Sequence, residues 1–405
     1  MRDPYTKEME LFEQSGPIYG ESSAPVRWEN TIADWLQQVG FVRGENERSV
    51  FYHPTRDLLL LLYVDDCYLD GHDRDIRWID QLMDKKFKCK ELEWLEEGSS
   101  IDFLGVDVSM NRGYVSMSMP RYVTKFLELM NHGGTPSRVP LSKPITHSEP
   151  LSPEQATRFR AGVGCLNWMA HTVRPDLSYA HSRLSQHLHN PTEAAWQGLM
   201  QACSYLQGTI QLGLRSPRWS LVPSSTDTTG WPEQHSWEFF CDSDHAGNDE
   251  VQNKRKSQWG GIALLNGAPV VYQSKAVGVC MAMPKMKSTH TDFSSAASEI
   301  YAAGNMTQEM LHMSYVADEM GLKFPETSML QIDNKAAISF AGGETVSTKL
   351  RHIDVRQEWV HALRDRDIIH PVHVPSKENP ADFFTKILTP QTFEYLRDRF
   401  MHPIP

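Results

Sequence analysis

Apolar residues recur at helical spacing from Trp28 to Val39 and again from Asp75 to Phe87, with an unbroken apolar run, Leu58 to Val64, between them. The pattern predicts helix, strand and helix, and so an α+β unit over residues 1–130. From about Asn131 the chain turns to Gly, Pro, Ser and Thr through HGGTPSRVPLSKPITHSEPLSPEQ, too polar to hold regular structure, and reads as a connection. Helical patterning returns from about Pro153 to Leu206, with Leu166, Trp168, Met169, Leu184, Leu188, Trp196, Leu199 and Leu206 at core positions. A second polar stretch, RSPRWSLVPSSTDTTGWPEQHS, ends this helical region, 131–236. Beyond it strand and helix alternate: strands at Trp237 to Asp242, GGIALLN and PVVYQSK, a long helix from Asp292, a strand at Met329 to Ile332 and a helix from Asn334. A helix over Asp354 to Leu363, a strand at Ile369 to Val374 and a last helix from Pro380 complete the series. The expectation for 237–405 is an α/β layer, a five-stranded mixed sheet flanked by helices.

Composition narrows the function classes. A chain of 405 residues, 40% hydrophobic and 22% charged, is long enough for two or three domains with buried cores. Its six cysteines stand apart with no C-x-x-C pair, against a disulfide framework or a structural zinc site, and point to a reducing compartment. No stretch approaches the roughly 20 apolar residues that span a bilayer, and MRDPYTKEMELF lacks the apolar region of a secretory signal. The expectation is an intracellular protein without a membrane partner. A net charge of −11 weighs against a generalised clamp on phosphate backbones, which needs Lys and Arg. Nucleic acid would have to be met by local patches. Lys254, Arg255 and Lys256, then Lys275 with Lys285 and Lys287, then Lys349 with Arg351 provide three, although any one such run is more simply a solvated surface.

Those patches flank four acidic residues. Asp242 lies in WEFFCDSDHAG, Glu299 in SSAASEIYAAG, Asp333 in LQIDNKAAI and Asp382 in KENPADFFTK, each in a different element, so only folding can unite them. If the first and fourth strands are neighbours, Asp242 and Asp333 project from one edge of the sheet, and Glu299 and Asp382 face them from helices. Two hard divalent cations about 4 Å apart require several carboxylate oxygens, and they stabilise the attacking water and the leaving oxygen of a phosphodiester. Singly, each residue is more simply a helix cap or a surface charge; the order of all four makes a nuclease the leading reading. His370, His373 and Lys377, on the approach to Asp382, could assist proton movement or product release, and are more simply loop residues.

A second acidic feature is Tyr63-Val64-Asp65-Asp66, after the run Leu58 to Leu62 and before Tyr68, Leu69 and Gly71. It reads as strand, tight turn and strand with two aspartates at the turn, where Asp is favoured in any case.

Across 237–400 the chain resembles the ribonuclease H domain of copia-type retrotransposon polyproteins. The resemblance is carried by Asp242-Ser243-Asp244-His245-Ala246-Gly247, Lys254-Arg255-Lys256-Ser257, Ser274-Lys275, Ser298-Glu299-Ile300-Tyr301, Asp333-Asn334, Arg351-His352-Ile353-Asp354, and Ala381-Asp382 with Thr385-Lys386. Upstream, Tyr19-Gly20, Ala24-Pro25, Arg27-Trp28, Gly40-Phe41, the Asp65-Asp66 turn and Phe103-Leu104-Gly105 are similar to copia-type reverse transcriptase. Gly164-Cys165-Leu166, Arg174-Pro175-Asp176 and Tyr205-Leu206-x-Gly208-Thr209 resemble the region between polymerase and nuclease.

The resemblance implies a partial reverse-transcriptase palm (1–130), a helical thumb or connection (131–236) and a ribonuclease H-like domain (237–405). It gives Asp242, Glu299, Asp333 and Asp382 the metal-ligand roles, with Asp244 as alternative first ligand. Two magnesium or manganese ions and hydrolysis of the RNA strand of an RNA/DNA hybrid follow from it. Asp65 and Asp66 become a polymerase remnant, because the family's partner aspartate lies in a D-V-x-x-A-F-L segment upstream of anything in this sequence. A catalytically silent nucleic-acid-binding remnant is the alternative. The resemblance also implies association with retrotransposon proteins and a cytoplasmic setting, the nucleus being left open.

Overall fold

A computed structural model describes residues 21–217, 236–244, 257–277, 291–335, 337–338 and 354–404. The chain forms two compact units, Met1–Leu92 with Tyr315–Leu322, and Glu93–Ser314 with Lys323–Pro405.

In the first unit, α1 (Ala24–Gln38) is followed by β1 (Val42–Arg43), β2 (Val50–His53), β3 (Leu58–Tyr63), β4 (Asp66–Asp70) and α2 (Asp73–Phe87). The four strands form an antiparallel sheet in chain order. Along β3, Leu58, Leu60 and Leu62 are buried while Leu59 and Leu61 are half-buried, the period-2 alternation of a strand with one face on a core. That core takes Ile32 and Leu36 from α1 and Ile76, Ile79 and Met83 from α2. The Phe87 ring meets Trp28 and Trp35 edge to face, at 5.4 and 5.1 Å. The predicted helix, strand and helix are all present.

The second unit holds two five-stranded sheets. One has the order β14-β8-β7-β6-β5 and is antiparallel throughout, built from β5 (Ser100–Phe103), β6 (Val106–Asn111), β7 (Tyr114–Ser118), β8 (Leu212–Pro217) and β14 (Met401–Pro403). The other is the mixed sheet expected from the sequence, β11-β10-β9-β12-β13, made of β9 (Trp237–Asp244), β10 (Gln258–Leu265), β11 (Ala268–Ala276), β12 (Ser328–Ile332) and β13 (Ile369–His373). β9, β10 and β11 pair antiparallel, and β12 runs parallel to both β9 and β13. Helices α3 (Pro120–Leu129), α4 (Pro153–Thr172), α5 (Ser178–Ser185) and α6 (Glu193–Gly208) precede the mixed sheet, and α7 (Thr291–Glu319), α8 (Asp354–Asp365) and α9 (Pro390–Arg397) accompany it.

One hydrophobic core runs from Val106, Phe126 and Phe159 through Leu199 and Leu206 to Phe240, Ile262, Phe383 and Phe400. The polar stretch after Asn131 forms no regular element, yet Val139, Leu141 and Ile145 are buried in this core. Its few apolar residues act as pegs, which composition averaged over the segment hides. Five of the eight predicted helical core residues are fully buried, Leu188 and Trp196 pack at its margin, and Trp168 is 38% exposed. The segment expected as a final helix from Pro380 is instead a 3-10 turn, Pro380–Phe384, with α9 a separate helix after it. Residues 218–235 of the second polar stretch lie outside the described residues.

The two signatures of the middle region meet each other. The Arg174 guanidinium and the Asp176 carboxylate, both fully buried, pair at 2.7 Å. Arg174 also donates to the Thr209 carbonyl at 3.1 Å and hydroxyl at 2.8 Å, and the Tyr205 hydroxyl donates to Asp176 at 2.7 Å. Burial and the Asp176 charge push the Tyr205 phenol well above its usual range, so it stays a donor. R-P-D and Y-L-x-G-T are therefore halves of one buried network joining α4, α5 and α6, a structural device rather than a reactive one.

Candidate active site

β9 and β12 are neighbours, with Leu330 opposite Phe239 and Ile332 opposite Cys241. Extending that register by one residue sets Asp333 beside Asp242, on the same face of the sheet. Glu299 comes from α7. Oxygens of Asp242, Glu299 and Asp333 lie within 4.8 Å of one another, with Asp242 and Glu299 buried and Asp333 half-buried. Among the described residues these three form the cluster, and Asp244, the last residue of β9, does not join it.

Glycines on β10 let the surrounding elements close in. Gly260 stands opposite Asp242, and a Cβ there would meet Cβ of Phe384 at 2.5 Å and Cγ2 of Thr385 at 2.9 Å. A Cβ at Gly261 would meet Sδ of Met306 on α7 at 2.7 Å. The W-G-G run is thus the clearance through which both the Asp382 turn and the Glu299 helix approach the sheet. The Ser243 hydroxyl then donates to Ser298 at 3.0 Å, tying β9 to α7, and Ser243 also hydrogen-bonds Glu299.

Asp382 is held from both sides of its turn. Asn379, fully buried, donates to the Cys241 carbonyl at 3.1 Å and accepts from Ala381 N at 3.0 Å. Phe383 stacks on Phe393 with centroids 4.6 Å apart, and the Phe384 carbonyl accepts from Ser274 at 2.6 Å. The Asp382 carboxylate meets the others through a lysine. Lys386 Nζ lies 2.8 Å from Oδ1 of Asp382 and 3.5 Å from Oδ2 of Asp242. Thr385 also donates to that Asp242 oxygen.

The electrostatics follow from this crowding. Burial first, then the charges of Asp242 and Asp333, raise the Glu299 carboxyl well above its usual range. Burial and Asp242 raise Asp333, against a hydrogen bond from Ser376. Burial and Asp242 push Asp382 up to about 7 even with Lys386 beside it. Burial disfavours the Lys386 cation, but Asp242 and Asp382 outweigh it and hold the ammonium charged.

Mutually repelling carboxylates at a buried site want a cation. Among the described residues Oε2 of Glu299 is buried without a hydrogen-bond partner, and so is Oδ1 of Asp382, which meets Lys386 as an ion pair. The donor set is all oxygen, the preference of hard divalent ions such as Mg2+ and Mn2+, and the converging oxygens of Asp242, Glu299 and Asp333 fit such an ion.

The other sequence candidates stand elsewhere. Asp65 and Asp66 are exposed at the turn between β3 and β4, where Val64 has φ of 55°, a left-handed conformation rare for a β-branched residue. Trp28 Nε1 donates to the Val64 carbonyl at 2.6 Å and fixes that turn on α1. Lys275 is exposed on β11, an edge strand. Lys254, Arg255, Lys256, Lys285, Lys287, Lys349 and Arg351 lie outside the described residues. His370, His373 and Lys377 are exposed. Sequence reasoning gave Thr385 and Lys386 no role, although the i,i+4 spacing of Asp382 and Lys386 is a signal for a pair.

Residues 6–143 match the family described as reverse transcriptase (RNA-dependent DNA polymerase). Over 93% of its length the chain is 26% identical to the retrovirus-related Pol polyprotein from transposon RE1 of Arabidopsis thaliana. Over 97% it is 24% identical to that from transposon TNT 1-94 of Nicotiana tabacum. The chain is thus similar over most of its length to copia-type retrotransposon Pol polyproteins. It spans about a quarter of the length of these polyproteins, 24% of the first and 29% of the second. Among solved structures, ribonuclease H1 of Halobacterium salinarum is similar over 37% of this chain and 93% of its own, with 17% identity and a TM-score of 0.26. The fold class of the chain is mixed α/β, with the five-stranded mixed sheet that carries the acidic cluster.

Proposed function

We propose that this chain is a ribonuclease H that hydrolyses the RNA strand of RNA/DNA hybrids. The observation that carries the reading is the convergence of Asp242, Glu299 and Asp333 oxygens within 4.8 Å, from three separate elements, on a buried and underpartnered site. In this reading those three residues and Asp382 hold divalent magnesium or manganese, two ions in the working state. Bound ions supply Lewis-acid stabilisation of the attacking water and the leaving oxygen. The protein supplies the rest. Ser243 fixes the Glu299 carboxylate and Ser376 that of Asp333, so these acidic oxygens are set before substrate arrives. Burial of Asp242 and Glu299 keeps competing water from the ion's inner ligands.

The division into a palm remnant (1–130), a connecting region (131–236) and a nuclease (237–405) belongs to the same proposal. Asp65 and Asp66 are its polymerase remnant, and RNA-directed DNA synthesis is not assigned to this chain. Lys254, Arg255, Lys256, Lys275, Lys349 and Arg351 are proposed to meet the hybrid backbone, other retrotransposon proteins are proposed partners, and the cytoplasm is the proposed setting.

Changing Asp333→Asn in the full chain tests the reading. Hybrid cleavage is expected to fall by at least about 10²-fold, the scale on which charge-stabilising groups act, while hybrid binding measured by gel shift persists. Cleavage unchanged in the variant would overturn the assignment, and hybrid binding without cleavage in the parent chain would favour the binding-only alternative.

A further inference from the structure

The position of Lys386 bears on how many ions the cluster takes. Its ammonium lies 2.8 Å from Asp382 and 3.5 Å from Asp242, where it satisfies carboxylates that a cation on that side of the cluster would otherwise bind. On the opposite side Ser243 hydrogen-bonds Glu299, but among the described residues Oε2 of Glu299 is buried without a partner, whereas Oδ1 of Asp382, though it too lacks a hydrogen bond, has the Lys386 charge beside it. The cluster is therefore asymmetric, with one side already neutralised by a covalently attached charge and one side open. Thr385 strengthens the asymmetry, since its hydroxyl donates to the same Asp242 oxygen that faces Lys386. Asn379 and the two phenylalanines anchor the turn that carries Asp382, so turn and lysine are presented as one piece. Lys386 is about one-third exposed, which leaves its stem room to swing outward.

Resting on the metal-centre reading above, we infer that Lys386 is a built-in cation occupying the Asp242–Asp382 side of the cluster. The free protein then takes one divalent ion, at Asp242, Glu299 and Asp333, and admits a second only when the Lys386 ammonium leaves. An ammonium and a divalent ion repel each other, so the two compete for the same carboxylates rather than sharing them. Lys386 is in this sense a positioning residue that makes the second ion dependent on whatever draws the lysine away, for which the phosphate backbone of a nucleic acid has the right charge.

The test counts bound Mn2+ by electron paramagnetic resonance and calorimetry on the full chain, comparing the parent with Lys386→Met, which keeps the stem and removes the charge, and Lys386→Arg, which keeps the charge. The parent and Lys386→Arg are expected to bind one Mn2+ tightly. Lys386→Met is expected to bind a second ion about tenfold or more tighter than the parent does. Its melting temperature without metal should fall below that of the parent and rise more when Mn2+ is added, a response that loss of packing alone would not give. Two equally tight ions in the parent, or one ion in all three proteins, would overturn the role of Lys386 while leaving the metal centre standing. No Mn2+ bound by any of the three would overturn the metal centre itself.

Discussion

Gly260 has no side chain, and its place opposite Asp242 makes that absence structural. A methyl group there would stand 2.5 Å from the Phe384 Cβ, so Gly260→Ala must displace the turn carrying Asp382, Thr385 and Lys386. The expected cost is about 1–3 kcal/mol of stability, the usual scale of overpacking, with weaker Mn2+ binding; thermal denaturation and metal titration measure the two. A variant of parental stability and metal affinity would mean that the turn does not depend on this clearance. At this scale the convergence of Asp242, Glu299 and Asp333 was legible from the order of their motifs, because hard cations favour oxygen ligands, carboxylates prominent among them. Lys386 was not, since a lysine beside an aspartate is by default a surface pair, and only the burial of Asp242 behind it sets this one apart.

Between α4 and α5 the rings of His171 and His181 stand 5.3 Å apart. Burial, then the nearness of His171, pushes His181 down to about 4 from its ordinary 6.5. Between those values the unfolded chain binds a proton that the folded chain refuses, so the fold's stability is full above 6.5 and declines as pH falls towards 4. Replacing His181→Gln should flatten that decline. Urea midpoints at pH 7 and pH 5 give the comparison, and equal losses in parent and variant would exclude His181 as the source. At the element scale, periodicity identified α1, α2, α4, α6 and the strands of the mixed sheet, because each buries one regular face. It did not reveal the second sheet, whose β8 and β14 are short and come from distant parts of the chain. Nor did it reveal the break after Phe384, ahead of the separate helix that Thr389 caps and Pro390 opens.

At the scale of the whole molecule, a continuous core links the connecting helices to the mixed sheet, and the buried Arg174–Asp176 pair lies within that assembly. Removing one partner of a fully buried pair leaves an uncompensated charge, so Asp176→Ala should destabilise the second unit by about 3–5 kcal/mol. Chemical denaturation of the full chain should then show this unit unfolding earlier, and a loss below about 1 kcal/mol, typical of an exposed pair, would contradict the burial. Motif order spoke more clearly than charge at this scale. A net charge of −11 argued only against a generalised clamp on phosphate backbones, whereas similarity to Pol polyproteins runs through almost the entire chain. The charge is a sum over the surface, and binding depends on where lysines and arginines gather.

The central claim, that one metal-dependent site cuts RNA within a hybrid, is tested most directly by strand. Full-length protein is given a hybrid whose RNA and DNA strands carry different labels, with Mg2+, with Mn2+ or with chelator. The account predicts fragments from the RNA strand alone, in either metal and not in chelator. Intact RNA after incubation with folded, hybrid-bound protein, or cutting that persists in chelator, would contradict it.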